Sequence, residues 1–397
     1  MRIAIYTYSF NPNVGGIERV GNNLSRNLKY AGYEVFGISK NETASSNSCW
    51  TEHYTDTICA NSQDIENRGG VIRDFIIDNN IDVFINLYFL PYETLELLNG
   101  IKTNTRCKII NAKQVSPHFL DSLKEFNRKL PIPGWLNRSI FAVYKQLVHI
   151  PKLKKAERMA YELSDATVVL GKTFIDELSQ FARLKDIDKL MYIHNCTSFD
   201  ITTHTEFAYQ VSDKREFHTK QLIMLSLGRL CNSHKRIDRI LEFWHRFHSV
   251  NDGWKLEIVG DGEDRAMLEL LAKKKKLKDY AFLGATENPQ GYFAKSRIFL
   301  MTSETEGFGM TIIEAMAGGC VPIVMDTFPT VHEIIDNKID GIIVKRNDYR
   351  GMRNAANYIC EHFEMMSNNA IIKSKKFTAE AITQKWIDLI NKITDNK

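Results

Sequence analysis

Short apolar runs alternate with helix-like segments along both halves of the chain, and this alternation limits the possible folds most strongly. In the first half the runs that predict strands are 2–8, 34–39, 82–87, 107–112, 166–170 and 190–193. In the second half they are 221–227, 255–259, 297–302 and 321–325, with helices predicted at 235–250, 263–276 and 311–317. Strands joined by helices form parallel sheets, so the predicted fold class is α/β with two parallel sheets.

The length of the chain also favours two domains, because 397 residues exceed what one hydrophobic core of ordinary size supports. We predict an N-terminal domain over 1–197, a linker over 198–219 and a C-terminal domain over 220–376. A final helix over 377–397 carries an apolar stripe that includes Trp386. We expect this stripe to pack back on the N-terminal domain.

The composition fits a soluble protein, with 44% hydrophobic and 25% charged residues. No apolar run approaches the ~18 to 20 residues that span a bilayer, and the apolar start is too short for a signal peptide. The seven cysteines are dispersed, which indicates reduced thiols and argues against structural zinc. We therefore expect a cytoplasmic protein, and the net charge of +4 gives no reason to expect a nucleic-acid partner.

The most informative motif follows the strand predicted at 297–302. A loop with two glycines leads into a helix from about Thr311, and the pair Gly318-Gly319 ends it. Such a loop offers free N–H groups and the positive end of a helix dipole, which together suit an anion. Glu306 precedes the loop and Glu314 lies in the first turn of the predicted helix. Paired carboxylates accept hydrogen bonds from hydroxyl groups, so this site suits a sugar better than a bare phosphate.

Glu306 and Glu314, with Gly-Phe-Gly between them, resemble the paired-glutamate motif of glycosyltransferase family 4. The resemblance implies the GT-B fold, in which two Rossmann-like domains face each other across a cleft. It also implies transfer with retention of anomeric configuration. Glu306 would then hold sugar hydroxyls and Glu314 the ribose of the donor. The remaining donor-binding residues would be Gly307, Phe308, Gly309, Met310 and Thr311.

Two basic residues earlier in the second half occur in the same order along the chain as in that family. Arg229 lies after the strand 221–227, and Lys235 lies six residues further on. The resemblance implies that both bind the donor diphosphate, which the guanidinium fork and the ammonium point charge suit physically. Arg236 stands where related sequences often have glycine. These cations would stabilise the negative charge of the leaving diphosphate, so we expect no metal ion and no cofactor.

The first half supplies a glycine turn and one ambiguous histidine. Gly15 and Gly16 lie between the first strand and the first helix and resemble the N-terminal glycine loop of the family, which implies that they also bind the donor. The family often places a histidine after a later strand, facing the donor sugar. Either Gln114 or His118 occupies that position here, and the spacing leaves both open.

Two acidic patterns are candidate metal sites. Asp186 and Asp188 have the spacing of a metal-binding D-x-D motif, but they lie in a charged loop before a strand, which disfavours a metal role. Asp261, Glu263 and Asp264 fit solvated acids at the start of a helix better than metal ligands.

Aromatic residues in 131–158 are followed by the basic residues Lys145, Lys152, Lys154, Lys155 and Arg158. This pattern suits an anionic membrane surface, so we expect a peripheral contact at the inner face of the membrane.

The resemblance implies a retaining, metal-independent glycosyltransferase that assembles cell-surface polysaccharide. The donor would be a UDP-hexose or UDP-N-acetylhexosamine, and the acceptor a glycan or lipid-linked glycan. Arg229, Lys235, Glu306 and His118 are the candidate catalytic residues. A GT-B epimerase of sugar nucleotides and a non-catalytic sensor of nucleotide sugars remain open alternatives.

Overall fold

The computed structural model describes residues 1–12, 14–41, 50–60, 70–88, 91–116, 145–197, 220–249 and 251–395. The chain folds into two compact units. The first comprises Met1–His194 and Thr383–Lys397, and the second comprises Asn195–Ile382. The predicted linker 198–219 lies outside the described residues.

The first unit is built around a seven-stranded parallel sheet. Its strands are β1 (Arg2–Thr7), β2 (Glu34–Ser39), β3 (Asp56–Cys59), β4 (Val83–Asn86), β5 (Lys108–Ala112), β6 (Ala166–Val169) and β7 (Leu190–Tyr192). They lie in the order β3-β2-β1-β4-β5-β6-β7. The helices are α1 (Gly16–Tyr30), α2 (Gly70–Asp78), α3 (Pro91–Asn104), α4 (Ile150–Leu163) and α5 (Thr173–Ala182), with a π-helical turn Lys145–His149 before α4. Consecutive residues of β1 are buried, as expected for a parallel strand covered on both faces.

The second unit contains a six-stranded parallel sheet. Its strands are β8 (Gln221–Leu227), β9 (Lys255–Val259), β10 (Tyr280–Gly284), β11 (Ser296–Met301), β12 (Val321–Met325) and β13 (Ile342–Val344). They lie in the order β10-β9-β8-β11-β12-β13. The helices are α6 (Asn232–Lys235), α7 (Ile237–His248), α8 (Arg265–Lys274), α9 (Pro289–Lys295), α10 (Met310–Ala317), α11 (Val331–Ile334) and α12 (Tyr349–Ser374). A 3₁₀ turn, Lys375–Phe377, leads to the last helix, α13 (Ala379–Thr394).

The two parallel sheets confirm the predicted fold class, although three strands were missed and one helix is shorter than predicted. The predictions omitted β3, β10 and β13, which all lie at sheet edges. The helix predicted over 235–250 is interrupted, because Arg236 adopts the left-handed conformation (φ 51°) between α6 and α7. The second unit therefore turns its chain sharply beside Lys235.

A buried lysine holds together three elements around α10. Lys220 precedes β8, and its Nζ donates to the carbonyl oxygens of Phe293 (2.9 Å), Ser296 (2.9 Å) and Gly318 (2.7 Å). Burial lowers the pKa of Lys220 to about 8. Because Gly318 caps α10, the lysine fixes the C-terminal end of that helix against α9 and the start of β11.

Candidate functional site

The second sheet has a crevice where its strand order reverses. β8 and β11 are neighbours, and the chain proceeds outward from them in opposite directions. Ligands of open α/β sheets bind at the carboxyl ends of strands at such a switch point. A cavity at this edge is lined by residues 226–229, by Lys235, Ile237 and Ile240, and by residues 299–303. The cavity brings the predicted cations Arg229 and Lys235 to the end of β11.

Glycines allow the loops after β8 and β9 to approach each other. A Cβ on Gly260 would lie 1.9 Å from the carbonyl oxygen of Gly228, and one on Gly262 would lie 2.6 Å from that of Leu230. Gly228 and Gly260 also have φ values of 151° and 137°, which other residues rarely adopt. The turn Gly260-Asp261-Gly262 therefore has a structural role.

Lys235 and Glu306 form an ion pair at the edge of the sheet. The Nζ of Lys235 lies 2.7 Å from the Oε1 of Glu306, and the two side chains are 27% and 13% exposed. The family resemblance implies that Lys235 binds the diphosphate and that Glu306 binds the sugar hydroxyls. The structure brings them into direct contact across 71 positions of sequence.

Charged residues around Glu304 stabilise the turn that carries Lys235. Arg239, which is 2% exposed, donates to Glu304 Oε2 at 2.5 Å and to the carbonyl of Thr302 at 3.1 Å. Arg236 and Arg346 also pair with Glu304, and Arg236 donates twice to Asp238, at 2.9 and 2.8 Å. The hydrogen bond to Asp238 raises the pKa of Arg236. No local sequence pattern marks Glu304 as a site residue, because its partners come from distant segments of the chain.

The Gly-Phe-Gly loop is fixed by contacts beneath it. Gly309 is the N-cap of α10 with φ 97°, and Thr330 donates to the carbonyl of Phe308 at 3.2 Å. The ring of Phe308 is buried against that of Phe377, with centroids 5.8 Å apart. Gly307, half-exposed, lies beside this fixed segment. The loop is thus held with its backbone at the helix N-terminus.

The helix after this loop begins one residue earlier than predicted. It starts at Met310, so Met310 and Thr311 occupy its first turn and both are half-exposed. Glu314 therefore lies in the second turn rather than the first, and only 1% of it is exposed. The rise of 1.5 Å per residue moves its carboxylate further from the loop than the sequence suggested.

Arg229 is exposed at the mouth of the crevice. The thiol of Cys231 hydrogen-bonds to Glu263 and lowers the pKa of that carboxyl, with Arg229 and His234 adding their charges. Cys231, Glu263 and Asp264 also place potential ligand atoms within 4.8 Å of one another, among the residues that the structure describes. Asp264 Oδ2 already accepts from the backbone N–H of Asn232 at 2.6 Å. Asp264 therefore stabilises the loop at Asn232 through this hydrogen bond.

Gly15, Gly16 and Gln114 of the first unit lie at the carboxyl edge of its sheet. Gly15 and Gly16 form the start of α1, and a Cβ on Gly15 would come within 2.8 Å of Glu18 Oε2. Burial raises the pKa of Glu18. Gln114 follows β5 and is 7% exposed. His118 lies outside the described residues, so the choice between Gln114 and His118 stays open.

The D-x-D pair and the basic segment have local partners. Asp186 Oδ1 accepts from the hydroxyl of Tyr161 at 2.9 Å, in the loop before β7. On α4, Lys154 lies 5.4 Å from the ring centre of Phe181, and Arg158 donates to the carbonyl of Ala182 at 2.9 Å. Of 131–158, residues up to 144 lie outside the described part.

Lys152 and Lys155 are the exposed cations of α4, and Leu147 just before this helix is 72% exposed. No helix in the described ranges combines the length and the apolar character needed to cross a bilayer.

Comparisons with known proteins find a matching family model, similar sequences and similar folds. Residues 210–376 match the family model of glycosyl transferases group 1. An uncharacterized glycosyltransferase of Haemophilus influenzae is 29% identical over 167 residues, which are 41% of this chain and 47% of that protein. The amylovoran biosynthesis glycosyltransferase AmsD of Erwinia amylovora is 29% identical over 276 residues, 66% of this chain and 75% of its own.

A third relative is an N-acetyl-D-galactosaminyltransferase of Campylobacter jejuni, whose name specifies a glycan on diphospho-undecaprenol. It is 24% identical over 239 residues, 59% of this chain and 62% of that protein. The matches thus span from about half to three quarters of these relatives. Among solved structures, Anabaena HepE in complex with UDP aligns with a TM-score of 0.74 at 14% identity, covering 99% of this chain and 100% of that one. This likeness identifies the fold as GT-B.

Proposed function

We propose that this chain, whose residues 210–376 match the family model of glycosyl transferases group 1, transfers a sugar from a nucleoside diphosphate sugar to a glycan. The observation that carries the proposal is the ion pair between Lys235 and Glu306 at the switch point of the second sheet. It joins a group suited to phosphate and a group suited to sugar hydroxyls at one edge. A donor that contains both parts fits this combination.

The two cations would bind the diphosphate of the donor. An ammonium has three N–H donors, so Lys235 can keep one hydrogen bond to Glu306 and direct the others to phosphate oxygens. Arg229, exposed at the same crevice, can add a forked contact. Both charges would stabilise the negative charge that develops on the leaving diphosphate, so the reaction requires no divalent ion.

The carboxylates and the loop would orient the sugar and the nucleoside. Glu306 accepts hydrogen bonds from hydroxyls of the transferred sugar, and Glu314 accepts them from the ribose. The N–H groups at the start of α10, around Gly309 and Met310, face the diphosphate. As the family resemblance implies, the transfer retains the anomeric configuration.

The nucleotide and the acceptor are inferred from the relatives. HepE binds UDP, which supports a UDP-linked hexose or N-acetylhexosamine as donor. AmsD is named for exopolysaccharide synthesis and the Campylobacter enzyme for a lipid-linked glycan. We place the acceptor of this chain among growing cell-surface glycans, carried on lipid at the inner face of the membrane.

The test is a panel of UDP-glucose, UDP-galactose, their N-acetylated forms and GDP-mannose. We expect at least one to raise the melting temperature and to release its nucleoside diphosphate when glycan acceptors are supplied. EDTA should leave this release unchanged. Glu364→Gln, an exposed change on α12, serves as the control for Glu306→Gln, which should lower release about a hundredfold.

Three outcomes would contradict the proposal. Conversion of a UDP-sugar into its epimer without an acceptor would indicate an epimerase. Donor binding without release under any acceptor would indicate a sensor. Loss of activity in EDTA, restored only by manganese or magnesium, would contradict metal independence and return attention to Asp186 and Asp188.

A further inference from the structure

The first sheet has a switch point of its own, between β1 and β4. Three side chains follow the carboxyl ends of the central strands: Tyr8 after β1, Lys40 after β2 and Tyr88 after β4. Parallel pairing continues past the strand ends, because the N–H of Asn41 donates to the carbonyl of Tyr8 at 3.0 Å. These residues therefore share the edge at which doubly wound sheets bind ligands.

Three tyrosine rings form a fixed aromatic surface at this edge. Tyr6 is 1% exposed, and its ring centre lies 5.4 Å from that of Tyr88 in an edge-on contact. Tyr8 stacks on Tyr88 at 6.1 Å with 14° between the planes, and 39% of Tyr8 is exposed. The backbone N–H of Tyr88 donates to Asn86 Oδ1 at 3.0 Å. The exposed ring thus rests on a buried support rather than on a loose loop.

A buried amide lies next to this surface in the sheet. Asn111 pairs in register with Asn86, whose Nδ2 donates to Asn111 Oδ1 at 2.8 Å. Asn111 is 1% exposed, and its own Nδ2 has no hydrogen-bond acceptor within the described part of the chain. A buried donor without an acceptor costs about 1–3 kcal/mol, so a hydroxyl oxygen offered by a ligand would be favourable here.

Lys40 adds a positive charge beside the aromatic surface. Its Nζ donates to the hydroxyl of Tyr88 at 3.1 Å and lies 5.1 Å from the centre of that ring. The ammonium therefore sits towards the hydroxyl edge of Tyr88 rather than directly above the ring. A ligand that covers the rings and bears an anionic group could reach this charge with that group.

We propose that Tyr8, Tyr88, Asn111 and Lys40 bind the acceptor as a pyranose ring that carries an acidic group, either a phosphate or a carboxylate. The C–H face of a pyranose is apolar with slightly positive hydrogens, which matches the negative face of an aromatic ring. Asn111 donates to a ring hydroxyl and Lys40 pairs with the acid. This inference rests on the proposed function, since it identifies the acceptor of that reaction.

The experiment uses saturation-transfer NMR on the full chain, with UDP saturating the nucleotide site. The probes are methyl glucoside, methyl glucuronide and glucose 6-phosphate. We expect one or both acidic sugars to bind at least tenfold more tightly than the neutral one, and the pair identifies which acid is preferred. Tyr8→Ala should weaken binding at least tenfold, and Tyr8→Phe should retain it. Tyr30→Ala, which removes an 81% exposed tyrosine at the end of α1, is the matched control.

Lys40→Met should remove the preference for acidic over neutral sugars while leaving the stacking intact. Equal binding of all three probes to the unaltered protein would overturn the role of the charge. Absence of pyranose binding, or unchanged binding in Tyr8→Ala, would overturn the aromatic site. UDP binding measured by calorimetry separates the two proposals, because loss of pyranose binding with UDP binding retained overturns this inference and leaves the proposed function standing.

Discussion

Glu306 and Glu314 belong to one motif, but their surroundings predict different effects on catalysis. Glu306 is paired with Lys235 at the edge of the sheet, whereas Glu314 is buried in the second turn of α10. A contact to the transferred sugar strengthens at the transition state and affects turnover, whereas a contact to ribose affects binding throughout. Glu306→Gln should therefore lower turnover about a hundredfold, equivalent to ~3 kcal/mol for one polar transition-state contact.

Glu306→Gln should leave UDP affinity unchanged or slightly higher, because it removes a negative charge beside the diphosphate. Glu314→Gln should weaken UDP and UDP-sugar alike. Calorimetric UDP binding, measured beside turnover, distinguishes the two variants. Loss of UDP binding in Glu306→Gln alone would reverse the assigned roles. If neither variant differs from the unaltered protein, the functional interpretation of the motif is wrong.

The buried Asp340, in the turn before β13, should make the stability of the protein depend on pH. Burial raises its pKa to about 6, although the N–H of Asp336 and the charge of Lys373 oppose the shift and the charge of Asp336 adds to it. Its pKa in the unfolded chain is about 3.9. Between these values the folded state binds a proton that the unfolded state lacks, so this residue makes stability rise as pH falls from about 6 to 4.

Asp340→Asn keeps an oxygen acceptor for the N–H of Asp336 and removes the buried charge. The variant should be more stable than the unaltered protein at pH 7.5 by about 3 kcal/mol, from a shift of roughly two pKa units. This advantage should disappear below about pH 4. Urea unfolding between pH 4 and 8 measures it, with exposed Asp252→Asn as the control. A constant difference across that range would contradict the role of ionisation.

At the scale of elements, the turn between α12 and α13 supports the loop before α10. Phe377 packs its ring against Phe308, and its carbonyl accepts from the N–H of Thr197 at 3.0 Å. Phe377→Leu should leave Phe308 without part of its support and weaken UDP binding about tenfold. Phe243→Leu, a fully buried change on α7, should cost similar stability without weakening UDP binding. Equal effects on UDP binding would show that Phe377 acts only through global stability.

At the scale of the whole molecule, the exposed cations of α4 predict binding to anionic membranes. Lys152 and Lys155 are exposed on this helix, near the exposed Leu147. Each lysine near an anionic surface contributes about 1 kcal/mol, so reversing both should lower vesicle binding by about thirtyfold or more. Co-sedimentation with anionic vesicles measures this, and binding should also fall as salt rises. Lys273→Glu with Lys274→Glu on α8 is the charge-matched control; an equal loss there would indicate attraction by net charge alone.

The sequence by itself determined the two parallel sheets and the position of most of their central strands. Those strands are buried on both faces, so their apolar runs are local signals that need no knowledge of the partner strand. The loop from Glu306 to Thr311 could also be predicted from the sequence, because its glycines and the start of the following helix are adjacent. The missed strands β3, β10 and β13 are edge strands, and the first two are largely half-exposed, so their apolar pattern is weak.

Only the tertiary structure determines which residues that are distant in sequence come into contact. Lys235 and Glu306 lie 71 positions apart and become partners because β8 and β11 are neighbours in the sheet. The same pairing of distant strands places Asn111 beside Asn86, and Tyr88 beside Tyr6 and Tyr8. Local sequence patterns reflect burial and backbone preference, which act over a few residues. Contacts between loops depend on strand order, which is set by the packing of the whole unit.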